Sequence, residues 1–224
     1  MQFAVIGLGV FGRACAFELQ RQGNEVLGID LDEKEVNKVS DTLSHAVIAD
    51  ATDKETLKEL NFAQLDGVMV CIGDNLEASL LCTLNLIHLP VHNLWVKAKT
   101  DAHHDILASL GVQNIIHPEQ DMGIRIAQAM NYPMMKQYLS LGNNDEYLVR
   151  IDIPAGWTPQ SIAKIRNTYP STSLLLIVRQ GKVIHTFDDN WTVQHPDSLV
   201  FSGSLPELKR LARTFIPPHS SDLR

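Results

Sequence analysis

The chain has 224 residues, 45% hydrophobic and 20% charged, with 19 Lys and Arg against 26 Asp and Glu and a formal net charge of −7. That is ordinary globular composition, and a chain of this length buries roughly 70% of its unfolded surface without a disulfide or metal staple. The charges divide as 10 basic and 18 acidic residues up to position 140 and 9 and 8 beyond it, so neither half carries the positive field that nucleic acid or an anionic membrane surface demands.

The first 117 residues alternate between two periodicities. Short β-favouring runs occur at Phe3–Ile6, Glu25–Ile29, Ala46–Ile48, Gly67–Cys71, Leu94–Val96 and Asn114–Ile116. Five of the six lack polar alternation, which predicts strands covered on both faces. Helically spaced stretches lie between them, among them Ala14 to Gln20 and Leu76 to Leu86. This alternation predicts an α/β fold with a doubly wound parallel sheet of Rossmann type. A helix is expected over Glu119–Asn131, opened by Pro118 and closed before Pro133. The cluster Gly142-Asn143-Asn144-Asp145 reads as a linker. Beyond it strands are expected at Tyr147–Ile153, Leu174–Arg179, Val183–Phe187 and Ser198–Phe201, with helices at Pro159–Asn167 and Glu207–Phe215. Gln180-Gly181-Lys182 is a plausible hairpin turn. The expected organisation is therefore a Rossmann domain (1–117), a crossover helix and linker (118–141), a small C-terminal α+β domain (142–217) and a tail (218–224).

Cys15, Cys71 and Cys82 are an odd set with no CxxC pair, which suits a reduced, cytoplasmic chain. The longest apolar runs, such as Leu174–Val178, fall far short of the roughly 20 residues of a membrane span, so no direct membrane insertion is expected. Arg13 and Glu18 interrupt the apolar N-terminus, which argues against a signal peptide.

Gly7-Leu8-Gly9-Val10-Phe11-Gly12 follows the first strand and opens the first helix. Gly7 permits the tight turn, Gly9 lets backbone approach a pyrophosphate, and Gly12 allows close packing of helix on sheet. The helix N-terminus offers free N–H groups and the positive end of its dipole to phosphate. Asp30 ends the second strand 18 residues after Gly12, where a carboxylate can accept from both ribose hydroxyls and repel a 2′-phosphate. A dinucleotide or adenine nucleotide is the expected ligand, with NADP disfavoured. The other candidate features read as structural. The nine His show no metal spacing, and the neighbours His103 and His104 must point to different sides of a helix. Tyr132-x-x-x-Lys136 has the spacing of a short-chain dehydrogenase pair, but no Ser stands a turn or two upstream. Asp188-Asp189 reads as a solvated loop, Trp157 and Trp191 as core or rim. No nucleophile–base pair is evident.

Six ordered motifs together resemble the RCK proteins, the cytosolic nucleotide-binding subunits of bacterial Trk and Ktr potassium transporters, and most of all their KtrA-like members. They are QFAVIGLGVFG, GIDLDE, IADAT, IGDN at 72–75, LWVKAK at 94–99 and IIHPEQDMGIRIAQ at 115–128, with a looser match at HPDSLVFSGSLPELKRL. The resemblance implies a site for ATP, ADP or NAD(H). It places Asp30, Leu31 and Asp32 at the adenosine end, Asp50 and Ala51 beside the base, and Ile72, Gly73 and Asp74 on the phosphate side. It brings Lys97, Ala98, Lys99 and His103 near the ligand. Glu119 matches a carboxylate at the dimer interface, near a γ-phosphate and a bound Mg²⁺, Ca²⁺ or Na⁺. Val10 stands where many KtrA-like proteins carry Arg, and Asp50 where relatives often have Asn; both departures lean towards NAD(H) or AMP-like ligands.

The function the resemblance implies is regulatory, not enzymatic. It is a cytoplasmic subunit, peripheral to the inner face of the membrane, forming homodimers and an octameric ring that gates a KtrB- or TrkH-like membrane partner. A small NAD-dependent oxidoreductase is the leading alternative, and a nucleotide sensor for another membrane exchanger a third. Apolar residues around Leu80–Leu86 and Ile124–Met130 are candidate subunit contacts, with burial against the sheet as the competing expectation.

Overall fold

The structure, a computed structural model, describes residues 1–131, 135–141 and 146–215, with backbone alone at residues 128, 136–138 and 140. The expected linker at 142–145, the tail at 218–224 and Tyr132 lie outside the described residues, as does the Lys136 side chain. Contacts divide the chain into a unit ending at Asp121 and another beginning at Met122.

The first unit contains β1 (Gln2–Ile6), α1 (Val10–Arg21), β2 (Glu25–Asp30), α2 (Glu33–Asn37), β3 (His45–Ile48), α3 (Lys54–Glu59), β4 (Gly67–Val70), α4 (Leu76–Ile87), β5 (Leu94–Lys97), α5 (Asp101–Ser109) and β6 (Asn114–Ile116). The six strands form one parallel sheet in the order β3-β2-β1-β4-β5-β6. Successive β1 residues serve opposite faces, as the two-residue period of a strand requires. Val5 packs with Leu8, Ala16, Val26, Val36 and Val39 under α1 and α2. Ala4 and Ile6 pack with Leu57, Val68, Val70, Cys82, Leu86 and Leu107 under α3, α4 and α5. Helices therefore cover both faces, and the expected Rossmann-type doubly wound sheet is the observed one.

Local chemistry sets the helix boundaries. Asp53, Asn75 and Thr100 cap α3, α4 and α5 by accepting the N–H groups of Thr56, Ala78 and His103. Gly23 and Gly111, with φ of +86° and +89°, turn the chain out of α1 and α5 in the left-handed conformation that glycine adopts freely.

Helix α6 (Pro118–Asn131) leads into the second unit, which holds β7 (Met135–Ser140), β8 (Glu146–Asp152), β9 (Gln160–Ser161), α7 (Ile162–Thr168), β10 (Thr172–Arg179), β11 (Lys182–Ile184), β12 (Thr192–Val193), β13 (Ser198–Ser204) and α8 (Leu205–Arg213). Five strands make an antiparallel sheet in the order β11-β10-β13-β8-β7, and β12 pairs with β9. Leu208, Leu211 and Ala212 of α8 pack with Phe215 on Val149, Ile151, Ile177, Leu199 and Phe201. This is the expected small α+β unit, with three differences of detail. Residues 135–140, read as crossover and linker, form a strand. The helix expected from Pro159 starts at Ile162, because Gln160 and Ser161 pair with β12 and the Ser161 side chain caps α7. The strand expected to reach Phe187 ends at Ile184.

Candidate functional site

In the strand order, β1 has β2 on one side and β4 on the other, so chain direction around the sheet reverses there. Open α/β sheets form their crevice outside the strand C-termini at such a point. A pocket of about 440 Å³ lies there, lined by Gly7 and Gly9 from the β1–α1 turn, Asp30–Asp32 after β2, Asp50–Thr52 after β3 and Cys71–Asn75 after β4, among others.

The three motif glycines have different reasons to be glycine. Gly7 has φ +90°, and a Cβ there would come within 2.9 Å of the Cys71 backbone. A Cβ on Gly12 would lie 1.9 Å from the Gly7 carbonyl oxygen, so that position fixes how closely α1 rests on the turn. A Cβ on Gly9 would meet no atom within 4 Å. Gly9 lines the pocket and is the N-cap of α1, with no side chain capping the helix. The first-turn N–H groups of α1 thus stand beside the pocket, the arrangement that binds a phosphate.

Asp30 holds this turn together. Its Oδ2 accepts the Leu8 N–H at 2.6 Å and its Oδ1 accepts the Asp32 N–H at 2.9 Å. Each oxygen keeps a lone pair for a further donor such as a ribose hydroxyl. Asp32 caps α2 through the Lys34 N–H, and Asp50 accepts from the Thr52 N–H and hydroxyl. Among the described residues five carboxylates line the pocket, those of Asp30, Asp32, Glu35, Asp50 and Asp74, and no Lys or Arg does. Such a field repels a 2′-phosphate at the β2 end.

Of the residues singled out from sequence, Gly7, Gly9, Asp30, Leu31, Asp32, Asp50, Ala51, Ile72, Gly73 and Asp74 line this one pocket. Val10, Phe11, Gly12, Lys97, Ala98, Lys99, His103 and Glu119 do not line it. Val10 is exposed beside it, Gly12 and Ala98 are buried, and Phe11 is partly buried. The Lys97 ammonium lies 5.6 Å from the centroid of the Phe11 ring and bonds to the Glu119 carboxylate. That contact holds the Glu119 carboxyl below its ordinary range. Lys99 pairs loosely with Asp74 at 3.3 Å. His103 is buried, and its Nδ1 accepts the Lys99 N–H at 3.3 Å. Burial, with His117 nearby, lowers its tendency to protonate. Glu35, Thr52 and Asn75 also line the pocket but were not singled out; Thr52 and Asn75 close the motifs IADAT and IGDN, whereas Glu35 lies in none of the quoted motifs. His104 and His117, 13 residues apart, share a hydrogen bond of 3.0 Å that no spacing rule anticipates.

Residues 3–118, which contain all but the first residue of the parallel sheet and every residue that lines the pocket, match the TrkA-N domain family. Over 212 residues, 93% of this chain and 94% of the relative, the sequence is 39% identical to Ktr system potassium uptake protein A of Bacillus subtilis (strain 168). The chain belongs to the TrkA-N family. Within that family it is also 36% identical to Ktr system potassium uptake protein C of the same organism, covering 95% of this chain and 96% of the relative. The resemblance to Trk and Ktr subunits is thereby one of homology along nearly the whole chain. Among solved structures the GsuK channel bound to NAD shares the fold, with a TM-score of 0.53 and 18% identity over 96% of this chain and 38% of that one.

The donor sets differ in what they fit. The glycine cradle, the open α1 N-terminus and Asp30 suit an adenine nucleotide. A resident cation does not fit in the same way: among the described residues no three His, Cys, Asp or Glu side chains could share an ion, and Glu119 is engaged with Lys97. Among the described residues no helix is long and apolar enough to cross a membrane.

Proposed function

We infer that this TrkA-N protein is the nucleotide-binding regulatory subunit of a potassium-uptake system, a cytoplasmic chain acting on a separate KtrB- or TrkH-like membrane subunit. The observation that carries the reading is 39% identity to a Ktr potassium-uptake protein over 93% of this chain and 94% of that one. A relative of equal extent, alike from end to end, argues for the same kind of part in the same kind of system.

The pocket supports a sensing role. Among the described residues none that line it is His, Lys, Tyr or Ser, and burial pushes the Cys71 thiol up to about 12. It therefore presents carboxylates and backbone, groups that bind and orient, and lacks a proton donor poised for neutral pH. In this reading residues 1–117 bind ATP, ADP or NAD(H), 118–141 connect, and 142–217 form the second regulatory domain. Asp30 and Asp50 hold the adenosine end, and the N–H groups of Val10 and Phe11 meet the phosphates. Subunits pair and assemble into a ring, octameric by the resemblance, with Glu119 at the subunit boundary.

A nucleotide shifts such an assembly only by its differential affinity for two arrangements. A ten- to hundredfold preference is worth about 1.4 to 2.7 kcal/mol per site. Coupled over the subunits of a ring, that preference becomes a near-complete switch. Co-expression with a KtrB-like membrane subunit in cells lacking potassium uptake tests the reading. Growth at low potassium should require both chains and fall when Asp30→Ala is substituted. Growth indifferent to this chain, or oxidation of NADH with small carbonyl substrates by the purified protein, would contradict it.

A further inference from the structure

Arg13, the fourth residue of α1, lies outside the pocket lining yet binds the glycine turn at two points. Its Nη1 donates to the Leu8 carbonyl at 3.1 Å, and its backbone N–H donates to the Gly9 carbonyl at 3.0 Å. The guanidinium is also bound to the Glu35 carboxylate of α2, which accepts from Lys38 as well at 2.5 Å. The Arg13 and Glu35 side chains are only 23% and 25% exposed, so the bridge is shielded from most of the solvent. A bond from a charged donor is roughly twice as strong as one between neutral groups.

The consequence lies in the peptide that joins Leu8 to Gly9. A trans peptide is planar, and its C=O and N–H point in opposite directions. Holding the Leu8 carbonyl therefore fixes the Gly9 N–H too. Neither Leu8 nor Arg13 lines the pocket, whereas Gly9 does, so the carbonyl is kept outside and the N–H is turned to the side where the pocket opens. The preceding peptide is held as well, since Asp30 accepts the Leu8 N–H at 2.6 Å. Gly9 has φ −57°. Counter-rotation about the Leu8 ψ and Gly9 φ bonds reverses the peptide and takes that φ to a positive value, which glycine accepts freely. Sterics at Gly9 alone thus leave both orientations open. One offers a phosphate an N–H donor, as anion-binding backbone does; the other offers it a carbonyl oxygen.

We propose that Arg13 is the positioning residue of the phosphate subsite: by holding the Leu8 carbonyl, it selects the peptide orientation in which the Gly9 N–H meets the ligand's phosphate. The proposal rests on the reading of this pocket as a nucleotide site. Arg13 acts through the backbone and not as a free charge, because its guanidinium is paired with Glu35. Glu35 lines the pocket and anchors that guanidinium from α2, so the bridge ties the phosphate side of the turn to the β2 end. Preference for a phosphorylated ligand over its nucleoside arises here without a cation at Val10.

Calorimetric titration of the full chain with AMP, and with adenosine by displacement of AMP, both in chelator, tests the assignment. The readout is the ratio of the two dissociation constants, which is the gain in affinity that the phosphate brings. A merely structural role would weaken both ligands alike and leave the ratio unmoved. Arg13→Met and Arg13→Ala should each cut the gain at least fivefold, with adenosine affinity within twofold of the unaltered chain's. Arg13→Lys, which keeps a donor for the Leu8 carbonyl, should retain most of it. Arg13→Met combined with Glu35→Gln leaves the summed charge of the pair as it was and should not restore the gain. Recovery in that double variant, equal losses of adenosine and AMP, or an undiminished gain in the single variants overturns the positioning role while leaving the nucleotide site standing. Absence of AMP binding to the unaltered chain overturns both.

Discussion

Gly9 and Gly12 sit three residues apart in one turn, yet a side chain meets opposite circumstances at the two. At Gly12 it collides with the Gly7 carbonyl, so that position is about packing; at Gly9 it enters only the pocket, so that position is about what the pocket holds. The spacing of the motif announced both, Gly12 as the close-packing position and Gly9 as the approach to a phosphate. Asp30 was legible as well, from its place 18 residues beyond Gly12 at a strand end. Its second duty, tying the Leu8 and Asp32 N–H groups, was not, because that depends on the turn's closed form. The cysteines carry a pH prediction at this scale. Burial pushes both Cys71 and Cys82 up to about 12, from an ordinary value of 9.0. Folded thiols therefore keep their protons where unfolded ones lose them. Their contribution to stability is complete below about pH 9 and is lost as pH rises towards 12. Urea midpoints should be level near pH 8 and fall above 9, with a shallower fall in Cys82→Ala. A thiol reagent at pH 8 should modify neither residue until the protein unfolds.

Strands and helices were readable where one periodicity dominated. The six parallel strands are short apolar runs, and a run without polar alternation means a strand covered on both faces. Strand β7 escaped notice because Met135-Lys136-Gln137-Tyr138-Leu139-Ser140 has neither alternation nor a continuous apolar run, and its pairing with β8 shifts register after Met135. The hairpin between β10 and β11 was readable from Gly181; Gln180 and Gly181 both take positive φ, 51° and 75°. Invisible from sequence was the ion pair that locks β10 to the loop before β13. Asp197 is buried and accepts from Arg179 at 2.7 Å through each oxygen, while Oδ2 also takes the Gln194 N–H at 2.9 Å. Two residues 18 apart reveal such a pair only once β10 and β13 are neighbours. Arg179→Leu would leave that carboxylate buried without its cation. The expected cost is about 3 kcal/mol, seen as a lower denaturant midpoint of the second unit, with Asp197→Asn in the same background recovering part of it.

At the scale of the whole molecule, one helix of the first unit carries an apolar face turned to solvent. Helix α4 buries Cys82, Thr83 and Leu86 beneath it and leaves Leu76, Leu81, Leu84 and Ile87 exposed, an apolar face on a helix whose other face already serves the core. Composition argued against a nucleic-acid partner and motif order pointed to the family, but neither could say which side of α4 is free, since that follows from how α4 rests on β4. In the regulatory reading this face meets another subunit. Leu81→Glu with Leu84→Glu should leave the melting temperature of the first unit within a few degrees and lower the mass measured by light scattering. An unchanged assembly mass would place the subunit contacts elsewhere.

The central claim is that an adenine nucleotide lies over the β1–α1 turn with its phosphate against Gly9. Calorimetric titration of AMP, ADP, ATP and NADH into the unaltered chain and into Gly9→Val tests it most directly, because a Cβ at Gly9 meets no protein atom within 4 Å and stands in the lining of the pocket, where the phosphate would have to lie. The account predicts saturable binding at one site per chain, weakened at least tenfold in Gly9→Val while the melting temperature stays within a few degrees. Equal affinity in the two proteins would contradict it.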